Sequence, residues 1–143
     1  MAPCSVASAP AASPDFHWIA AAKLGWPGVL ALDYDPLSVE ATIENARVND
    51  VQLFGVRRFD LRDEIVPPAR LVLANLWAPL LVAWCDQMAA HDVERPGLVI
   101  ASGLLAAEAD AVAAAFETVG LPERRRAIRG EWAALLLMAR DPR

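Results

Sequence analysis

The stretch GVLALDYDPLSVEAT, from Gly28 to Thr42, is an apolar run that ends on an acid and continues into a proline-led segment. Its apolar part, Val29–Asp33, predicts a buried strand. Asp35 is a good N-cap residue and Pro36 suits the first position of a helix, so a helix is predicted from Pro36 to about Asn49. A buried strand that leads directly into a helix is typical of a parallel sheet.

Strand and helix patterns alternate on both sides of this stretch. Further helices are predicted at Trp18–Gly25, Ala78–Ala90 and Ala106–Gly120. Further strands are predicted at Val51–Val56, Arg70–Asn75 and Gly97–Ser102, and the segment Glu123–Ala139 predicts two strands joined at Arg129 and Gly130. The chain is therefore predicted to be an α/β domain with a doubly wound, mostly parallel sheet and a C-terminal antiparallel hairpin.

Composition limits what kind of protein this is. With 143 residues the chain is expected to form one domain, and 56% hydrophobic residues with 22% charged residues exclude disorder for most of it. The net charge of −5 argues against nucleic acid as a partner. No apolar run approaches the roughly 18 residues of a membrane span, so no membrane partner is predicted.

The few cysteines and histidines predict no metal site. Cys4 and Cys85 are far apart, and His17 and His91 lie in unlike contexts without ligand or triad spacing. A disulfide framework is not indicated either, and a reducing cytoplasm fits best. The oligomeric state cannot be predicted from the sequence.

The first 16 residues, MAPCSVASAPAASPDF, have a composition of their own. They are rich in Ala, Ser and Pro, and no Lys or Arg precedes their mildly apolar part, so they do not resemble a signal peptide. Residues 1–17 are expected to be a poorly ordered N-terminal segment and residues 18–143 the folded domain.

Candidate site residues follow from the predicted fold, because ligands bind at the carboxyl ends of the strands of such sheets. Asp33 can accept two hydrogen bonds from a ribose diol, or it is a solvated turn residue. Asp60 can accept from an exocyclic amine, or it caps a short turn. Asn75 can cap the following helix or hold a polar group in the crevice. Ser102 ends another strand at the same edge.

The tryptophans and an arginine-rich run are each predicted to have a structural role. Trp26, Trp77, Trp84 and Trp132 sit among apolar neighbours and are predicted to be core or pocket wall. The run ERRRAIR, Glu123–Arg129, is predicted to be an exposed edge strand that is protected by its charge.

Five segments of the chain resemble a known family in order and spacing. They are IAAAKLG, VLALDYDPLSVEATIENARVNDV, RLVLANLWAPLL, LVIASGLL and GEWAALLL, and they cover about Ile19 to Met138. The resemblance is to the catalytic domain of the bacterial ribosomal protein L11 methyltransferases. That family is part of the class I S-adenosylmethionine-dependent methyltransferases, which have a seven-stranded Rossmann-like sheet.

The resemblance implies a cofactor, a substrate and a set of site residues. The cofactor would be S-adenosyl-L-methionine, and the substrate a ribosomal protein whose amines are methylated in the cytoplasm. Asp33 corresponds to the acid that binds the ribose hydroxyls, with Tyr34 beside it in the cofactor site, and Asp60 with Leu61 to the pair that reads the adenine. Asn75 corresponds to the residue that faces the methionine end and the incoming amine, which makes it the catalytic candidate. Methyl transfer of this kind needs no metal.

The chain departs from the family at its N-terminus. Family members have an additional substrate-recognition domain and a G-x-G-x-G turn, whose glycine positions fall here on Ala11, Ser13 and Asp15. Pro10 and Pro14 remove two N–H donors, and an acid at position 15 lies near a methionine carboxylate, so weak cofactor affinity is expected.

The family's first strand is expected to be missing or degenerate, since CSVASA is the one local candidate and is short. That strand is normally central, between the second and the fourth. We hypothesise a truncated or frame-altered reading frame, which the upstream DNA would test.

Three functions therefore remain open. The first is a protein amine methyltransferase, inactive if the altered loop prevents cofactor binding. The second is a non-catalytic remnant that acts as a binding or structural module. The third is a dinucleotide-binding domain, which explains Asp33 but gives no role to Asn75 or the GEW hairpin.

Overall fold

The computed structural model describes residues 4–8 and 17–140 of the chain. The strands are β1 (Cys4–Ser8), β2 (Leu30–Asp33), β3 (Gly55–Arg58), β4 (Leu71–Asn75), β5 (Leu98–Leu105), β6 (Glu123–Arg129) and β7 (Trp132–Met138). The helices are α1 (His17–Lys23), α2 (Pro36–Val48), α3 (Ala78–Ala90) and α4 (Ala109–Thr118), and a 3₁₀ turn at Ala106–Glu108 precedes α4.

The seven strands form a single sheet in the order β3-β2-β1-β4-β5-β7-β6. The first five pair in parallel, while β7 is antiparallel to both β5 and β6. This confirms the predicted Rossmann-like sheet with a C-terminal antiparallel hairpin. Among residues 4–8 and 17–140, no helix combines the length and apolar character that crossing a membrane requires.

The central position of the sheet, expected to be missing or degenerate, is held by the short strand β1. Its five residues pair with β2 on one side and β4 on the other, which is the placement expected of the family's first strand. Backbone pairing on both sides satisfies the inner edges that an absent strand would expose. The proposed boundary between residues 17 and 18 stays a prediction.

The edge strand β3 begins later than its apolar pattern predicted. The prediction of Val51–Val56 was wrong at its start, because β3 spans Gly55–Arg58. Val51 and Leu53 pack against the core from a loop, and this explains why the loop has an apolar pattern. The Val51 amide donates to the carbonyl of Ala46 at 2.9 Å, which ties this loop to the end of α2.

Strand β5 is longer than predicted, because a bulge lets it continue past Ser102 to Leu105. Its pairing with β7 shifts register between Ala101 and Leu104, and Gly103 within this shift has φ +80°. Glycine adopts this left-handed conformation without a steric penalty, so the sequence signal that usually ends a strand here makes a bulge.

Helices cover both faces of the sheet. One hydrophobic cluster packs α3 and α4 on β4, β5 and β7, and a second packs α1 and α2 on β2 and β4. Trp84 lies in the first cluster with its ring edge-on to Phe116, at 5.6 Å between centroids, so its predicted core role is confirmed. The loops at the carboxyl edge of the sheet are thereby held on a rigid base.

Candidate functional site

The strand-end residues form one row across the sheet. Ser8 pairs with Asp33 on one side and with Asn75 on the other. Asp33 in turn pairs with Arg58, and Asn75 with Ser102. The expectation that these side chains come from the same edge of the sheet is therefore confirmed by the register.

Asp33 is a buried carboxylate at the end of β2. It is 9% exposed and is the one buried polar or charged residue within the part of the chain that the structure describes. Its Oδ1 accepts a hydrogen bond from the Asp35 amide at 2.8 Å, and its carbonyl accepts from the Phe59 amide at 2.8 Å. A buried carboxylate is stable only where hydrogen-bond donors reach it, so this strand end is a polar site inside an apolar sheet.

The turn after β3 carries Asp60 and Leu61 and is held by hydrogen bonds at several points. The Asp60 amide donates to Glu64 Oε1 at 3.0 Å, and the Glu64 amide donates back to the Asp60 carbonyl at 2.8 Å. Gln87 of α3 donates to the carbonyls of Leu61 and Glu64 at 3.3 and 2.9 Å. The turn is therefore positioned by the buried helix beneath it.

The Asp60 carboxylate is bound by Arg62. Arg62 Nε and its backbone amide donate to Oδ1 at 2.9 and 3.0 Å, and its Nη2 donates to Oδ2 at 2.7 Å. The backbone bond shows that Asp60 does cap a turn, which was the alternative left open by the sequence. These hydrogen bonds from Arg62 lower the pKa of Asp60 to about 2. At ordinary pH the Asp60 carboxylate is therefore ionised, and it accepts hydrogen bonds but donates none.

Tyr34 lies under two guanidinium groups. Those of Arg58 and Arg62 are 5.1 and 5.0 Å from the centroid of its ring. Arg58 Nε also donates to the Tyr34 carbonyl at 3.1 Å. Arg62 was not predicted as a site residue, and Arg58 was expected only as part of the Arg58–Leu61 turn at a strand end, because no spacing in the sequence shows which side chain will stack on the ring.

Asn75 lies against the bulge of β5. Ser102 Oγ donates to Asn75 Oδ1 at 3.4 Å, and a Cβ atom added to Gly103 would lie 2.5 Å from the same oxygen. The N-cap residue of α3 is Trp77, two residues further on, so the helix-cap alternative for Asn75 is wrong. Asn75 instead projects from the strand end at which the sheet edge and the bulge meet.

An open cleft of about 450 Å³ lies beside Asn75, between the β4 and β5 ends and the terminal hairpin. Trp77 and Trp132 line it and are 56% and 58% exposed, as expected of pocket walls rather than core residues. Arg129 and His17, which the sequence assigned no such role, line it as well. Arg129 and Trp132 are paired across the hairpin. The predicted turn at Arg129 and Gly130 was therefore the sequence feature that could have placed these two side chains together.

Reactive thiol and metal chemistry find little support in the described residues. Burial raises the pKa of the Cys85 thiol to about 12, which keeps it protonated. In residues 4–8 and 17–140, no group of three or more His, Cys, Asp or Glu side chains is placed to hold a metal ion. The three positions that replace the family's glycines, Ala11, Ser13 and Asp15, lie outside the described residues.

The Arg62 contact predicts a measurable change in titration. Arg62→Gln should raise the pKa of Asp60 from about 2 toward the ordinary value of about 4, because the hydrogen bonds from the guanidinium are lost. Any stability that the ionised Asp60 contributes is present above its ordinary pKa and is lost as the pH falls toward 2.

Carbon-detected NMR titration of the side-chain carboxyls would measure this shift. Glu44, whose pKa is lowered by its own partner Arg47, is the internal control and should not move. An Asp60 pKa that stays near 2 in the variant would show that Arg62 is not its cause.

Comparison with known proteins decides the family. Residues 18–140 match the family model "Ribosomal protein L11 methyltransferase (PrmA)". The chain belongs to the ribosomal protein L11 methyltransferase family. A curated relative, the ribosomal protein L11 methyltransferase of Heliobacterium modesticaldum, is 37% identical over 119 residues, which are 82% of this chain and 37% of that protein. The chain thus spans less than two fifths of the length of this relative.

Solved structures agree with membership of the L11 methyltransferase family. The ribosomal protein L11 methylase of Lactobacillus delbrueckii subsp. bulgaricus superposes with a TM-score of 0.79 at 26% identity, covering 96% of this chain and 70% of that one. The Pyrococcus abyssi tRNA (uracil-54, C5)-methyltransferase in complex with S-adenosyl-L-homocysteine has a TM-score of 0.68 at 15% identity, covering 93% and 34%. The second likeness shows the shared fold alone.

Proposed function

We propose that this chain binds S-adenosyl-L-methionine at the carboxyl edge of its sheet and transfers the methyl group to an amine of a ribosomal protein, L11. The observation that carries this is the placement of the buried Asp33 and of Asn75 on either side of β1, in a chain of this family. One residue would thus serve the ribose end of the cofactor and the other its reacting end.

The nucleoside half of the site is proposed to consist of Asp33, Tyr34, Asp60 and Leu61. A carboxylate offers two acceptor oxygens to vicinal hydroxyls, and the buried position of Asp33 strengthens such hydrogen bonds. The Phe59–Asp33 backbone bond brings Asp60 next to that strand end. A tyrosine ring and a leucine offer packing surface to a purine base, and the acceptor-only carboxylate can accept a hydrogen bond from its exocyclic amine.

The reacting half is proposed to lie at Asn75 and the cleft beside it. When bound, S-adenosyl-L-methionine supplies an electrophilic methyl group on a sulfonium. The amide oxygen of Asn75 can accept a hydrogen bond from the incoming amine and fix its direction of approach. Trp77 and Trp132 provide apolar walls for the stem of the amine-bearing side chain, and the Arg129 guanidinium disfavours a protonated amine in the cleft.

The second candidate, a non-catalytic remnant, is favoured by a different observation. The three glycines expected to approach the cofactor are replaced by Ala11, Ser13 and Asp15, and the residues 9–16 contain Pro10 and Pro14. These changes oppose a tight turn and remove backbone donors. We therefore expect the chain to bind the cofactor weakly if it is a methyltransferase, and not to bind it if it is a non-catalytic remnant.

Methyl transfer from tritiated S-adenosyl-L-methionine to purified ribosomal protein L11 tests the proposal. We expect incorporation that depends on this chain and falls by at least about tenfold in Asn75→Ala, the loss of one hydrogen bond in the transition state. Asn45→Ala, on α2 and outside the proposed site, is the control and should leave the rate unchanged. No incorporation, together with no binding of the cofactor at millimolar concentration, would favour the remnant.

A further inference from the structure

Arg62 lies on the same groups that the proposed function assigns to the adenine base. An ionised carboxylate has about four acceptor positions, and three of them on Asp60 receive hydrogen bonds from Arg62. The same guanidinium is 5.0 Å from the centroid of the Tyr34 ring. A base that paired with Asp60 and packed on Tyr34 would therefore meet Arg62 at both contacts.

The guanidinium of Arg62 has the chemistry of the ligand it would face. It is planar and delocalised, it donates two parallel N–H groups to a carboxylate, and it stacks on aromatic rings. An adenine base is also planar, and it presents its exocyclic amine at its edge. The two groups thus satisfy the same carboxylate and the same ring, so one excludes the other.

The two arginines on Tyr34 differ in how firmly they are held. Arg58 lies at the end of β3 and bonds the Tyr34 carbonyl, so it is part of the strand-end row. Arg62 belongs to the turn, and its side chain is 61% exposed while that of Asp60 is only 19% exposed. Arg62 can therefore swing into solvent while its partners keep their places.

We propose that Arg62 is an internal competitor for the nucleoside base and so sets the affinity of this site. The inference rests on the proposed function, because it assumes that Asp60 and Tyr34 face the base. The Asp60–Arg62 ion pair, whose Arg62 side chain is 61% exposed, and one cation–π contact are each weak, so the need to displace Arg62 is expected to keep nucleoside affinity about three- to tenfold below that of a site without it.

Calorimetric titration of adenosine and of S-adenosyl-L-homocysteine into the full chain tests this inference. Arg62→Ala should bind both ligands about three- to tenfold more tightly than wild type, because the competitor is gone. Arg124→Ala is the matched control: it removes the same charge from the exposed strand β6 and should not change either affinity. Unchanged or weaker binding by Arg62→Ala would overturn the inference.

Salt provides a second measurement on the wild-type chain itself. Adenosine is neutral, whereas the Asp60–Arg62 ion pair is screened by ions, since its Arg62 side chain is 61% exposed. Raising the ionic strength from about 0.05 to 1 M should therefore strengthen adenosine binding by wild type and leave that of Arg62→Ala unchanged. The same salt response in both proteins would count against the competitor role.

The failure of this inference is distinguishable from failure of the proposed function. If wild type binds, Asp33→Asn does not, and Arg62→Ala equals wild type, the cofactor site stands and the role of Arg62 is wrong. If wild type, Arg62→Ala and Asp33→Asn all fail to bind at millimolar ligand, both are wrong. Binding by Arg62→Ala alone would support both.

Discussion

Asp33→Asn is expected to weaken binding of S-adenosyl-L-homocysteine by about 100-fold or more. Two hydrogen bonds from ribose hydroxyls to an ionised carboxylate contribute about 1.5–3 kcal/mol each. The amide keeps one oxygen, which can still accept from the Asp35 amide as Asp33 Oδ1 does at 2.8 Å. The second oxygen is replaced by an NH2 group, which donates and cannot accept from the diol, so affinity falls while the local fold is retained.

Isothermal calorimetry on wild type and variant would measure this effect. Asp92→Asn is the matched control, because Asp92 is exposed in the loop that leads to the start of β5, at the opposite edge of the sheet. It makes the same change in net charge and should bind as wild type does. Equal affinity of Asp33→Asn and wild type would show that the ribose assignment is wrong.

Gly103→Ala is expected to impair both stability and methyl transfer. The new Cβ would lie 2.5 Å from Asn75 Oδ1. The alanine would also have to adopt the left-handed φ of +80° that Gly103 has. The left-handed conformation costs about 1–2 kcal/mol, and overpacking typically adds about 1–3 kcal/mol. Because Asn75 must move or the β5 bulge must shift, we expect a loss of about 2–5 kcal/mol in the free energy of unfolding.

Gly120→Ala separates the two causes. Gly120 has a similar φ of +84°, but a Cβ there meets nothing within 4 Å. Urea unfolding should therefore show a loss of about 1–2 kcal/mol for Gly120→Ala, with methyl transfer unchanged at a temperature where both variants are folded. If Gly103→Ala and Gly120→Ala behave alike in both assays, Gly103 does not position Asn75.

The overall fold was predictable because the apolar segments agree with the capping, proline and glycine residues that bound them. The helix Ala78–Ala90 has the predicted bounds, and Asp35 caps α2 through a hydrogen bond to the Leu37 amide at 3.0 Å. The start of β3 was not predictable, since an apolar residue such as Val51 packs equally well from a loop. The place of β1 followed only from the family, because a five-residue strand of small side chains has little pattern of its own.

The site was predictable where the backbone determines it. Asp33 and Asn75 end parallel strands, so their positions followed from the order of the elements. The roles of Arg62 and Arg129 depend on how long side chains fold across a turn and a hairpin, and no periodicity reports that. The role of Gly103 was not predictable from the sequence, because its close approach to Asn75 exists only in the folded sheet.

The row of strand ends around β1 is proposed to be the cofactor site of this chain. Calorimetric titration of the wild-type chain with S-adenosyl-L-homocysteine, and separately with NADH, tests this most directly. We expect S-adenosyl-L-homocysteine to bind at one site, weakly because the glycine loop is altered, and NADH not to bind. Absence of S-adenosyl-L-homocysteine binding at millimolar concentration, or tighter binding of NADH, would contradict it.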